Sequence, residues 1–203
     1  MTRGKTAGTL IVIVIVIVAV AYGIVVVRRG FSARDNPSWL ESSVARKTRS
    51  MAVPSSSRNM KNPVPNTPEN LKEAEEHWAD HCAICHANNG SGSTTIGRNL
   101  YPKAPDMRKA ETQSMTDGEL YYTIENGIRL SGMPAWGEGG DNDEASWKLV
   151  HFIRHLPQLT PEEEKRMESL NPKSPEEKQE EQQEQDFLNG QSEPAKKSKP
   201  MKH

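Results

Sequence analysis

The sequence is short of several features that mark common classes of protein. It has only two cysteines in 203 residues, which excludes a disulfide scaffold of several bridges and a zinc site built from four cysteines. Its formal net charge is −1, without the basic excess usual in proteins that bind nucleic acid. Large apolar residues are scarce after residue 160, so no hydrophobic core is expected in that part of the chain.

One long apolar run stands near the N-terminus. Residues 7–27 consist mostly of Ile, Val and Ala, and about 20 such residues are enough to span a bilayer as a helix. The run is longer than the ~7–15 apolar residues usual in a cleaved signal peptide, although residues 19–21 (Ala-Val-Ala) offer a cleavage site. The sequence predicts a transmembrane anchor here, with a cleaved signal as the alternative.

Composition divides the rest of the chain into three parts. Residues 28–67 are rich in Ser, Asn, Pro and Arg, which predicts a flexible linker with at most a short helix at 38–46. Residues 160–203 predict a charged, mostly disordered tail, with one or two helical turns at its start and a basic end. Residues 68–159 have enough apolar periodicity for one small domain, which a bound cofactor would help to stabilise.

Helical signals dominate this central domain, which is predicted to be all-α. Thr67 and Pro68 have the character of a helix start, and the residues that follow recur at steps of three and four. The residues on this face are Leu71, Ala74, Trp78, Cys82 and Cys85, so the face carries both cysteines. Two further helices are predicted at 116–126 and 144–156, and no strand is expected.

The strongest motif is Cys-Ala-Ile-Cys-His at residues 82–86. Cysteines three residues apart on a helix share one face, so both sulfurs can reach the two vinyl groups along one haem edge. The next residue, His86, then lies where it can ligate the iron. The motif predicts one covalently attached haem c held by Cys82 and Cys85.

Two other interpretations use the same residues. A thiol–disulfide module also has two cysteines separated by two residues, but its pair normally opens a helix after a strand. A zinc site would need a fourth ligand, such as His77 or His81, and would crowd four ligands into ten residues. Both interpretations predict a protein without haem.

Haem iron takes a sixth ligand, and Met133 is the favoured candidate. It lies in a loop, Ser131 to Gly137, where a methionine has no helical core to fill. The flanking Gly and Pro allow close approach to a flat cofactor and restrict the backbone. Histidines are the alternative ligands, either on the motif's own helix (His77 and His81) or on the third helix (His151 and His155).

With these residues in place, 71–159 resembles a class I c-type cytochrome domain of the short bacterial monohaem form. The resemblance is carried by residues 77–86, 127–136 (Gly-Ile-Arg-Leu-Ser-Gly-Met-Pro-Ala-Trp) and 147–150. It implies an all-α fold in which the first and last helices cross near Trp147.

The resemblance also implies which further residues bind the haem. Tyr121 and Trp136 would line the pocket. The family often has Gly-Pro-Asn-Leu after the motif, where the proline carbonyl orients the proximal histidine; here residues 97–100 are Gly-Arg-Asn-Leu. Pro102 or Pro105 is therefore expected to take that role.

Together these features predict a single-pass protein of a bacterial inner membrane. The resemblance implies that the haem domain is periplasmic and residues 1–6 cytoplasmic, because c-type haem is attached outside the cytoplasm. The expected function is one-electron transfer between redox proteins, without a small-molecule substrate. Residues 68–157 carry 8 Lys and Arg against 14 Asp and Glu, which would favour basic partners. A fixed subunit of a dehydrogenase or oxidase complex and a peroxidase with an open iron position remain alternatives.

Overall fold

The computed structural model describes residues 3–30, 32–137 and 143–189. Regular structure in these ranges is entirely helical, which confirms the predicted all-α class. The predicted basic end of the tail, at 196–199, lies outside the described residues, and so does part of the loop before the third predicted helix, at 138–142.

The helices follow one another along the chain with short connections. They are α1 (Arg3–Arg29), α2 (Trp39–Ala52), α3 (Ser55–Arg58), α4 (Pro68–His77), α5 (Ala83–His86), α6 (Thr95–Asn99), α7 (Ala110–Gln113), α8 (Asp117–Asn126), α9 (Glu144–His155), α10 (Pro161–Glu168) and α11 (Pro175–Leu188). A π-helical turn, Trp78–Cys82, joins α4 to α5, and a 3₁₀ turn, Leu156–Gln158, follows α9.

Helix α1 stands apart from the rest because its side chains from residue 7 onward are largely exposed. Residues Ala7–Arg28 form the one helix of the described chain that is long and apolar enough to cross a membrane. A helix of 22 such residues spans about 30 Å of hydrocarbon. Its length and composition are compatible with the predicted single-pass anchor.

The core of the domain forms where α4 and α8 pack against α9. Its largest fully buried side chains include Trp78, Trp147 and Phe152. The rings of Trp78 and Phe152 lie 5.3 Å apart, and Tyr121 of α8 stacks on Trp147 of α9 at 4.0 Å. The side chains of Thr116 and Asp143 accept backbone hydrogen bonds at the starts of α8 and α9, which explains why both helices begin where the sequence predicts.

The segment predicted as a linker contains α2 and α3, and both helices contact the domain. Arg58 of α3 pairs with Glu119 of α8 at 3.0 Å, and the Thr116 hydroxyl donates to the Arg58 carbonyl at 2.9 Å. Farther on, Asn62 donates to the Trp147 carbonyl at 2.9 Å. Apolar contacts add to these polar ones, since Met60 and Val64 pack against the core and Val53 is buried, but three such residues are too few and too irregularly spaced to form a periodic pattern.

The first part of the predicted tail also belongs to the packed structure. Helix α10 buries Met167 completely in the core. Arg166, beside it, forms two hydrogen bonds with the buried carboxylate of Glu75, at 2.8 and 2.6 Å. Helix α10 therefore packs on the domain, and α11 follows as a largely exposed helix.

We expect Gly118→Ala to detach α3 from α8. A Cβ at this position would collide with the Ser57 carbonyl oxygen, and overpacking of this kind costs about 1–3 kcal/mol. Trypsin should then cut after Arg58 or Lys61 roughly tenfold faster, since cleavage follows the population of the open segment. Gly23→Ala, where nothing lies within 4 Å of the added methyl, is the matched control. Equal cleavage rates would contradict the observed packing.

Candidate functional site

The cysteine–histidine motif lies at the end of the first long helix of the domain. The sequence predicts a regular α-helix here, but Trp78–Cys82 form a π-helical turn that inserts an extra residue before α5. Such turns occur frequently at functional sites, and local sequence gives little sign of them. The Trp78 indole donates to the Ala87 carbonyl at 3.1 Å, which fixes the chain directly after His86.

His86 is buried, with 8% of its surface exposed, and its ring lies 5.8 Å from that of Trp78. Burial lowers the pKa of His86 to about 4, so the imidazole is neutral at neutral pH. A neutral imidazole has the free nitrogen lone pair that an iron ligand needs. Its Nδ1 atom is buried and has no hydrogen-bond partner among the described residues.

Cys82 and Cys85 are free and partly buried, and they precede His86 on the same turn of chain. Burial, assisted by the nearby Cys85, raises the pKa of the Cys82 thiol to about 12. A thiol of that pKa is almost fully protonated at neutral pH and lacks the thiolate character of thiol–disulfide enzymes. No three His, Cys, Asp or Glu side chains in the described ranges lie close enough together to hold a metal ion.

Helix α6 borders the motif on one side. The Thr94 hydroxyl caps this helix at the Gly97 amide and also donates to the Cys85 carbonyl at 3.2 Å. Gly97 lies so close to the Cys85 carbonyl that any side chain there would collide with it. Gly132, the neighbour of Met133, lies close to Leu100 at the end of α6, because a Cβ added to Gly132 would collide with the Leu100 side chain. These contacts connect the motif, α6 and the Met133 loop.

The Met133 loop is held by hydrogen bonds to the end of α8. The Ile128 amide donates to the Met133 carbonyl, and the Trp136 amide donates to the Ile124 carbonyl, both at 3.1 Å. Gly127 makes this approach possible: it has a positive φ of 63°, and a Cβ there would lie 2.7 Å from the Met133 carbonyl oxygen. The backbone of Met133 is therefore held in a defined loop, and its role as a ligand stays a prediction.

Apolar side chains around this region are unusually exposed. Leu130 is 94% exposed and has a positive φ of 61°, a strained conformation for a leucine. Ile84 and Ile96, on the motif and on α6, are about half exposed. A large, flat, mostly apolar group would cover such side chains. Together with two thiols and a neutral imidazole, they fit a covalently attached haem.

The other residues predicted to contact the haem lie in different environments. Trp136 is close to the motif, with its ring 5.5 Å from that of His81. Tyr121 is buried against Trp147, and its hydroxyl accepts a hydrogen bond from the Asp143 amide at 3.0 Å. Pro102 and Pro105 are exposed, and neither carbonyl pairs with His86 Nδ1. The orienting role expected for one of them remains a prediction.

The alternative ligands have other partners in the fold. His151 bonds the Val64 carbonyl at 2.8 Å, and His155 pairs with Glu163 at 2.9 Å, so both ring systems are engaged away from the motif. Met107 and Met115 pack against the core cluster. These contacts engage His151 and His155 elsewhere, and Met133 as the sixth ligand stays a prediction.

Glu125, at the end of α8 beneath this loop, is a buried residue that no motif or periodicity predicts. It is buried, its Oε1 atom has no partner among the described residues, and its backbone carbonyl accepts from the Gly137 amide at 3.1 Å. Burial raises the pKa of the Glu125 carboxyl above its usual value. Folding therefore disfavours the ionised Glu125 carboxylate relative to the protonated carboxyl.

We expect Glu125→Gln to stabilise the protein at neutral pH by about 1 kcal/mol, because it removes a buried charge that lacks a full set of partners. The folded pKa lies above the unfolded value of 4.5, so the destabilisation is absent below about pH 4.5 and develops as the pH rises through the folded pKa. Thermal unfolding at pH 7 and pH 4 measures this difference. The exposed Glu76→Gln is the control, and a gain of equal size at both pH values would contradict the assignment.

A family comparison agrees with the site. Residues 69–153 match the family model described as cytochrome C oxidase, cbb3-type, subunit III. The match covers under half of the chain but nearly all of the domain built around the motif, including His86 and Met133. The sequence matches no curated protein significantly. Residues 69–153 are thus a c-type cytochrome domain, which binds haem c covalently and carries electrons rather than catalysing a reaction.

Proposed function

We propose that the chain is a membrane-anchored monohaem cytochrome that passes single electrons between redox proteins on the periplasmic side of a bacterial inner membrane. The observation that carries this proposal is the combination of one haem-attachment motif, residues 82–86, with one apolar helix long enough to span a bilayer, Ala7–Arg28. When bound, the haem supplies an iron that gains and loses one electron.

The residues of the site would divide the work of holding the haem. Cys82 and Cys85 would fix its edge through thioether bonds. His86 Nε2 would ligate the iron on one side, and the burial that keeps this ring neutral also excludes water from it. The Met133 sulfur would be a second iron ligand, held by the hydrogen bonds of its loop to α8. With both residues as ligands, the iron would have no open position for peroxidase chemistry.

Anchoring and sidedness are tested on the full chain, matured with haem outside the cytoplasm. We expect the protein to stay with membranes during alkaline carbonate extraction. Protease added to spheroplasts should digest the haem domain, whereas inside-out vesicles should protect it. A variant with residues 1–30 replaced by a cleavable signal peptide is the control and should be soluble. Extraction of the full chain by carbonate, or protection in spheroplasts, would contradict the proposal.

A second candidate function is supported by the matched family, whose description names an oxidase subunit. The domain would then be a fixed haem subunit of a larger oxidase or dehydrogenase complex rather than a carrier that docks and leaves. Purification of the native protein in a mild detergent distinguishes the two. Stoichiometric co-purification of other subunits supports the fixed subunit, and a single 22.6 kDa haem protein supports the carrier.

A further inference from the structure

The apolar stripe of helix α2 faces away from the domain core. Leu40, Val44 and Met51 are spaced four and seven residues apart and therefore form one stripe along the helix. All three are exposed, Met51 to 74%, and so is Trp39 at the start of the helix, to 80%. Nothing in the described structure covers this stripe.

The contacts of α2 with the rest of the protein come from its polar side. Arg46 pairs with Glu111 at 3.6 Å, the Glu41 carboxylate accepts from the Tyr101 hydroxyl, and the Ser50 carbonyl accepts from Arg58. At 100° per residue, Arg46 lies about 140° around the helix from the centre of the apolar stripe, and Glu41 lies about 80° from it. Trp39 lies on the side of Arg46, about 120° from the stripe. Just past the helix, Val53 is buried. The polar face therefore holds α2 to the domain and turns the stripe outward.

The position of α2 along the chain limits what can cover the stripe. Only residues 30–38 separate α1 from α2, and nine residues span at most about 30 Å when fully extended. A turn, in which the Asp35 amide bonds the Ser32 carbonyl, shortens that reach. If α1 spans the bilayer, α2 begins close to the membrane surface.

The chemistry of α2 and its surroundings matches the interfacial region of a bilayer. Lys47 lies beside the stripe on the helix surface, and Arg28, Arg29 and Arg34 precede the helix. Interfacial helices combine an apolar face with basic residues that attract anionic headgroups, and tryptophan is enriched at that depth. Trp39 stands at the membrane-proximal end of α2.

We propose that α2 lies along the membrane surface, with Leu40, Val44 and Met51 inserted between lipid headgroups, and holds the haem domain against the bilayer. The proposal rests on the proposed anchoring by α1. Because α2 and α3 dock on the haem domain, the position of the domain relative to the membrane would be restricted. It would not move freely on a flexible tether of 40 residues. A partner that exchanges electrons with it would have to meet it at the membrane surface.

Site-directed spin labelling of the full-length haem protein tests this. Because both native cysteines are thioether-bonded in the mature protein, Val44→Cys and Ala45→Cys each supply one reactive thiol. Both side chains are exposed, and Ala45 lies about 100° around the helix from the stripe. The labelled proteins are reconstituted in phosphatidylcholine vesicles with a quarter phosphatidylglycerol. Accessibility to oxygen, which partitions into lipid, is compared with accessibility to a water-soluble nickel complex.

We expect the ratio of oxygen to nickel accessibility to be several-fold higher at position 44 than at position 45. A third label, at Val16→Cys in α1, reports on anchoring itself. If position 16 is in lipid but positions 44 and 45 are equally accessible to nickel, the anchor stands and the surface helix is overturned. Shielding of position 44 from both probes would indicate a protein contact instead and also overturn it. If position 16 is in water, the anchoring fails, and this inference fails with it.

Discussion

Met133→Ala should lower the reduction potential by on the order of 100 mV, because the axial ligands are a main determinant of haem potential. The thioether–iron charge-transfer band of the oxidised protein should disappear. The vacated position should bind cyanide readily, whereas the parent protein should bind it poorly. Potentiometric titration followed by absorbance measures the first effect, and spectra with added cyanide measure the others.

Met115→Ala is the matched control for this substitution. Met115 packs against the core just before α8, so its loss should reduce stability and leave the potential and the charge-transfer band unchanged. If Met133→Ala leaves both quantities at the values of the parent protein, Met133 is not the sixth ligand. The histidine alternatives would then have to be tested, although His151 and His155 already have partners in the fold.

Met167→Ala should be among the most destabilising single substitutions outside the haem site. The side chain is 0% exposed and belongs to the core cluster, and truncation of such a residue costs about 2–5 kcal/mol. For a domain of this size, we expect the melting temperature to fall by roughly 10–20 °C, measured by thermal unfolding of the haem protein.

The control for Met167→Ala is Leu188→Ala in α11, where the side chain is 74% exposed and little change is expected. A melting temperature equal to that of the parent would show that α10 does not pack on the domain in solution. The result therefore decides whether the folded unit ends near residue 159, as composition predicts, or includes residues 160–168.

The sequence predicted those features that depend on residues close together in the chain. The haem motif occupies five consecutive residues. Helices α8 and α9 begin at side-chain caps, Thr116 and Asp143, that can be read directly from the sequence. Gly127 marks the end of α8 because glycine readily adopts the positive φ that ends a helix, and Gly127 has a positive φ here.

The parts that sequence missed depend on contacts between distant residues. Glu75 and Arg166 pair across 91 positions, and Arg58 meets Glu119 across 61. Each contact involves a charged residue in a segment whose composition suggests solvent exposure. Met167 is a single apolar residue among charged neighbours, so no periodicity marks α10 as part of the core.

We propose that Cys82 and Cys85 hold a haem covalently and that His86 and Met133 ligate its iron. The most direct test is the visible absorption spectrum of the full chain matured outside the cytoplasm, oxidised and reduced, before and after acid–organic extraction of non-covalent haem. We expect the haem bands to persist through extraction and the oxidised form to show the thioether–iron charge-transfer band. A colourless protein, or one that loses its haem to the organic phase, would contradict the claim.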